Sequence, residues 1–66
     1  MKIVLNGSER EIGDDATVAD LLDASGLRDK RVAIEVNLEI VPRSDYSKRR
    51  LGPDDRIEVV HAIGGG

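Results

Sequence analysis

At 66 residues, with 39% apolar and 35% charged side chains, the chain has the composition of one small folded domain, with too little interior for an enclosed active site to be expected. It has no cysteine and a single histidine, His61, which excludes a disulfide framework and a Cys/His zinc site. A formal net charge of -3 argues against a nucleic-acid binder. No run approaches the roughly 20 apolar residues of a membrane span, and no basic-then-apolar signal opens the sequence, so a cytoplasmic protein is expected.

Lys2-Ile3-Val4-Leu5 is a short strand-forming run, and Asn6-Gly7 directly after it is a strong two-residue hairpin signal. Glu9 to Ile12 is the expected returning strand. Thr17, three residues before Asp20, forms a capping-box pattern with Asp in place of Glu, so a helix is expected to start at Val18. Val18, Leu21 and Leu22 make its apolar stripe, and Gly26 is placed to end it.

Val32 to Val36 reads as a third strand, Asn37-Leu38-Glu39 as a tight turn, and Ile40-Val41 as a brief fourth strand stopped by Pro42. Residues 43–55 are polar and irregular, with Leu51 as the expected core anchor and Gly52-Pro53 as a turn signal. Arg56 to Ile63 forms the last strand. The order β-β-α-β-β-β predicts an α+β domain in which one helix covers one face of a mixed sheet of four to five strands. On the last strand Ile57 and Val59 should face the helix, while Val60 and Ala62 project from the open face.

Gly64-Gly65-Gly66 closes the sequence. Three glycines gain the strand nothing, because each loses more backbone entropy on ordering than any other residue, so a mobile tail is expected beyond a domain spanning 1–63. Extended, three residues reach about 10 Å, and a tail without Cβ atoms can enter a narrow cleft and leave the terminal carbonyl open to a nucleophile. The bland alternative is a frayed end. His61 lacks a nucleophile or orienting partner in the pattern, so a structural role is expected for it. The basic clusters Arg28-Lys30-Arg31 and Lys48-Arg49-Arg50, with no interleaved aromatics, read as solvated surface.

Taken together, these residues resemble the β-grasp, ubiquitin-like proteins, and among them the ThiS family of thiamine-biosynthesis sulfur carriers. The resemblance is carried by Asn6-Gly7, Thr17-Val18, Val36-Asn37, Ile40-Val41-Pro42-Arg43, Ile57 to Val60 and Gly65-Gly66. Two departures are local: Leu38 stands at a turn position where glycine or a polar residue is usual, and Pro53-Asp54 where a Gly-Asp pair is common.

The resemblance implies a carrier and not an enzyme. Its Gly66 carboxylate would be adenylated by an E1-like (ThiF-type) enzyme using ATP, with no cofactor bound to the chain itself. Persulfide sulfur from a cysteine desulfurase would convert the adenylate to a thiocarboxylate, and a ThiG-type thiazole synthase would take up that sulfur. Gly64 and Gly65 would serve as the tail. The absence of cysteine fits, since no thiol competes for the activated acyl group.

First and last strands are neighbours in β-grasp proteins, so Val4, Val60 and Ala62 would form one outward patch, a candidate docking surface for the activating enzyme. A molybdopterin-synthesis carrier, a ubiquitin-like protein modifier and a plain interaction module share enough of these features to remain alternatives.

Overall fold

The structure, a computed structural model, describes residues 1–61. Lys2–Leu5 (β1) and Ser8–Glu11 (β2) form an antiparallel hairpin, followed by the helix Val18–Ala24 (α1), then Val32–Val36 (β3), Glu39–Val41 (β4), a 3-10 turn at Arg43–Asp45, and Arg56–His61 (β5). The five strands make one sheet in the order β2-β1-β5-β3-β4. Among the described residues only the β1–β5 contact is parallel, with Val4 opposite Arg56 and Leu5 opposite Ile57. The sheet is thus the mixed sheet expected, and β5, last in sequence, lies at its centre.

Turn chemistry fixes both hairpins. Asn6 and Gly7 adopt φ 48 and φ 83, the left-handed pair of a two-residue turn whose twist matches that of its strands. The returning strand therefore begins at once, at Ser8, one residue earlier than expected. Ile12, expected as its last residue, lies just past it, with its N–H donating to the Met1 carbonyl at 2.9 Å. Beside it the N-terminal ammonium donates to the Ile12 carbonyl (2.6 Å) and to Asp14 Oδ1 (3.0 Å). The hydrogen bond to the Asp14 carboxylate holds the amino group's pKa above its ordinary value.

The helix begins where the sequence placed it. Thr17 Oγ1 accepts from the Asp20 N–H at 3.2 Å, while Asp20 Oδ2 accepts from the Thr17 N–H at 2.9 Å, a complete capping box. At the other end Gly26, at φ 71, lets the Leu27 N–H return to the Leu22 carbonyl (2.8 Å) and its own N–H to that of Asp23 (3.2 Å). This is a Schellman stop, and the regular helix ends two residues before Gly26.

The core is aliphatic: Val18, Leu21 and Leu22 of α1 pack on Ile3, Ile34, Val36, Val41, Ile57 and Val59 of the sheet. The irregular segment after the 3-10 turn is held to the start of the helix. Val18 N–H donates to the Arg49 carbonyl and Leu51 N–H to that of Ala16, both at 2.9 Å. Those two bonds deliver Leu51 into the core, where burying such a side chain contributes about 1.5–3 kcal/mol. Among the described residues, no helix is long and apolar enough to cross a membrane.

Candidate functional site

The residues expected to react or to form the tail, Gly64, Gly65 and Gly66, lie outside the described residues, as does Ala62 and with it the expected boundary at residue 63. The structure describes the platform that leads to them. β5 is hydrogen-bonded on both sides, to β1 in parallel and to β3 antiparallel, and its last described residue, His61, stands opposite Val32. His61 is exposed, and among the described residues no hydrogen bond or ion pair involves its side chain.

The alternation along β5 is as expected. Ile57 and Val59 are buried toward the helix, while Val60 is 52% exposed on the open face. The patch expected around it is different. Val4 also faces away from the helix, but it is opposite Arg56, four residues before Val60 on β5, which at about 3.3 Å per residue is a separation near 13 Å. β1 ends before it reaches the level of Val60. Val60's cross-strand neighbour is Ala33 of β3, with Glu35 and Glu58 forming the next pair and Ile40 beyond Glu35. The shared edge of β1 and β5 is real, but its register keeps Val4 and Val60 apart.

Three polar residues in the loops around β5 do more than the sequence pattern suggested. Asn6 Oδ1 accepts from the Val59 N–H at 2.8 Å, just past the end of β1. Asn37 grips the start of β5 twice: its N–H donates to the Arg56 carbonyl (2.8 Å) and its Oδ1 accepts from the Arg56 N–H (3.0 Å). Its Nδ2 donates to Asp55 Oδ1 (3.0 Å), and Asp55 Oδ2 accepts from the Gly52 N–H (2.7 Å), closing the turn ahead of the strand. The two Asn residues were legible as turn formers. Their side-chain partners are 18 or more positions away, which no local pattern encodes.

Both local departures take left-handed backbone. Leu38 has φ 71 and is 85% exposed, and Asp54, after Pro53, has φ 66 at the third position of a turn closed by the Asp55 N–H on the Gly52 carbonyl. Pro followed by a positive-φ residue is the type II geometry.

Among the described residues, no group of His, Cys, Asp and Glu side chains could hold a metal ion. The arrangement is a central, doubly paired strand that carries the chain toward its C-terminus, with the two flanking turns pinned to it. It can present a terminal group to another protein from a fixed base.

Comparison with known proteins agrees with this reading. The model of the ThiS family matches residues 3–66. The chain is 46% identical over all 66 residues to a thiazole synthase of Paramagnetospirillum magneticum, of whose length it spans one fifth. It is 42% identical over 53 residues to the sulfur carrier protein ThiS of Bacillus subtilis, a match covering 80% of each chain. The crystal structure of the thiamine biosynthesis protein ThiS from Geobacter metallireducens superposes along the full length of both chains, with a TM-score of 0.87 at 25% identity. With a family match that runs from Ile3 through the final glycine and a fold shared over its whole length, the chain belongs to the ThiS family.

Proposed function

We propose that the chain is a sulfur carrier for thiazole formation in thiamine biosynthesis, a co-substrate of other enzymes whose working group is the Gly66 carboxylate. The observation that carries this reading is the family match extending through Gly65-Gly66, on a fold whose central strand is the last element before them in sequence.

A carboxylate is anionic and resists nucleophiles, so the chemistry begins with ATP. An E1-like enzyme of the ThiF type transfers AMP to Gly66 and releases pyrophosphate. The terminal sulfur of a cysteine persulfide, supplied by a cysteine desulfurase, attacks the acyl carbon and AMP leaves. A thiol then cleaves the sulfur–sulfur bond, leaving the thiocarboxylate on Gly66 and a disulfide behind. A thiazole synthase takes the sulfur into the thiazole ring that it builds, and the Gly66 carboxylate is regenerated. The carrier binds no cofactor of its own in this scheme, and the cytoplasm, where persulfides and thiols persist, is its setting.

What this chain contributes is position. Gly65 and Gly66 offer no side chain to obstruct the acyl carbon, and β5, hydrogen-bonded on both sides, is a firm base five residues before Gly66. The test is the intact mass of the chain after incubation with ATP, magnesium, the activating enzyme and a persulfide donor. Replacement of one oxygen by sulfur, lost when Gly66 is deleted, is the expected result. An unchanged mass, with an enzyme that loads the Bacillus subtilis carrier in parallel, would overturn the reading.

A further inference from the structure

Asn6 and Asn37 are the two asparagines of the chain, and they form a matched pair with one difference. Each takes left-handed backbone, at φ 48 and φ 52. Each is exposed, and each uses its Oδ1 to accept from a backbone N–H of β5, Asn6 from Val59 at 2.8 Å and Asn37 from Arg56 at 3.0 Å. What differs is the residue that follows. Asn37 precedes Leu38, whereas Asn6 precedes the exposed Gly7, and nothing lies within 4 Å of where a Gly7 Cβ would stand.

That difference decides the chemistry open to each side chain. The backbone nitrogen of the following residue, once it gives up its proton, can attack the asparagine Cγ. The bond from Cγ to the side-chain nitrogen breaks, ammonia leaves, and a succinimide ring closes. Water then opens the ring at either carbonyl, giving aspartate or, in larger part, isoaspartate. Water enters and ammonia leaves, with no other reactant consumed. A branched side chain at the following residue crowds the attacking nitrogen, and Gly7 has none. The fold resists the reaction at Asn6 in two ways. Ring closure requires the Asn6 backbone to rotate out of the two-residue turn and its side chain to swing away from Val59. Both movements are local, since they release the Val59 bond and the 2.9 Å bond from the Asn6 N–H to the Ile57 carbonyl at the end of a hairpin.

We propose that Asn6 is a site of spontaneous covalent modification, deamidation through a succinimide with Gly7, and that the Asn6–Val59 hydrogen bond is the latch that sets its rate. Asn37, shielded by Leu38, keeps its amide. The isoaspartate product does what aspartate does not. It routes the main chain through the former side-chain carbons, adding one carbon to a turn that has no slack between Leu5 and Ser8, and it takes the acceptor away from Val59. β5 then loses the last rung on the side where β1 has ended. None of this depends on the sulfur-carrier reading.

The test is peptide mapping of the intact chain after incubation at neutral and mildly alkaline pH, scoring aspartate and isoaspartate at both asparagines, with a synthetic peptide spanning Val4 to Glu9 as the unstructured reference. Asn6 should convert mainly to isoaspartate, faster at the higher pH because the Gly7 amide must lose its proton, and about tenfold more slowly in the folded chain than in the peptide. Leu38→Gly should make Asn37 convert as well. An Asn6 that keeps its amide long after the peptide has converted would overturn the site. Equal rates in chain and peptide would overturn the latch, and conversion of Asn37 as fast as Asn6 in the parent chain would overturn the role of Gly7. In the purified isoaspartate form the Val59 amide should exchange with solvent about tenfold faster than in the parent, while Asn6→Asp, with its ordinary main chain, should exchange like the parent. Unchanged exchange in the isoaspartate form would overturn the structural consequence.

Discussion

Asn6 Oδ1 accepts a hydrogen bond from the backbone N–H of Val59 at 2.8 Å, joining residues 53 positions apart. β1 leaves β5 at the Leu5–Ile57 pair, and the Asn6 N–H still reaches the Ile57 carbonyl at 2.9 Å before the chain turns back. The side chain then stands in for the strand that is no longer there, so Val59 keeps a partner. One residue thus supplies the positive φ of the hairpin and the last rung beside β5.

These two roles separate by mutation. Asn6→Gly keeps the turn and deletes the acceptor, and should cost about 1 kcal/mol, the net worth of one hydrogen bond. Asn6→Ala adds the strain of a left-handed alanine and should cost about 2 kcal/mol. Asn6→Asp retains both features and should stay near the parent. Denaturant unfolding gives the ranking, and in both destabilised variants the Val59 amide should exchange with solvent faster relative to the Ile34 amide.

Leu38 predicts a gain. At φ 71 a leucine is held where L-residues are disfavoured by about 1–2 kcal/mol, and at 85% exposure its side chain recovers almost none of that by burial. Glycine removes the strain and adds some unfolded-state entropy, so Leu38→Gly should stabilise the domain by about 0.5–1 kcal/mol. A higher denaturant midpoint at unchanged slope checks this. A lower midpoint would mean that the leucine packs in solution.

How much of this could be read beforehand depended on the range of the interaction. The capping box at Thr17 and Asp20, the stop at Gly26, the turn at Asn6-Gly7 and the alternation of Ile57, Val59 and Val60 are each decided within a few residues, and each was legible. The β2 boundary slipped by one because a two-residue turn leaves no slack, a geometric fact that alternation alone does not carry.

Val4 and Val60 stand apart for a different reason. Strand adjacency followed from the family resemblance, but register is set by where β1 stops against β5, and only the folded chain shows that. The basic clusters read as solvated surface because neither segment alone forms a cleft. Arg28 and Arg43 come to line one cleft only in the folded chain.

The Asp55 carboxylate joins two loops, accepting from Gly52 N–H at 2.7 Å and from Asn37 Nδ2 at 3.0 Å. Removing it leaves a half-buried N–H without its acceptor and deletes one of the three hydrogen bonds that tie Asn37, in the β3–β4 turn, to the start of β5. Asp55→Ala should cost about 2 kcal/mol, and Asn37→Ala about 3 kcal/mol, since that side chain also accepts from Arg56 N–H and an alanine at φ 52 is strained. Because they share one hydrogen bond, the double variant should cost less than the two singles together, by about 0.5–1 kcal/mol. Strict additivity in a double-mutant cycle would show that the Asn37–Asp55 contact contributes nothing in solution.

Val60 tests the open face of the sheet. It is 52% exposed, with Ala33 as its cross-strand neighbour, and Ile40, at 71% exposure, lies on the same face beyond the Glu35–Glu58 pair. An apolar side chain so placed, one residue before His61, gains the isolated domain little and suits contact with the activating enzyme proposed above. Val60→Glu should lower kcat/KM for adenylation about tenfold, which is 1.4 kcal/mol, while shifting stability by less than 1 kcal/mol. Val4→Gln is the control: Val4 shares the face but is opposite Arg56 and Glu9, about 13 Å from Val60, so it should change adenylation by less than threefold. Equal losses from the two variants would restore a single patch spanning both strands, and no loss from Val60→Glu would remove the open face from the activation step. A loss confined to Val60→Glu would place activation at the His61 end of the open face.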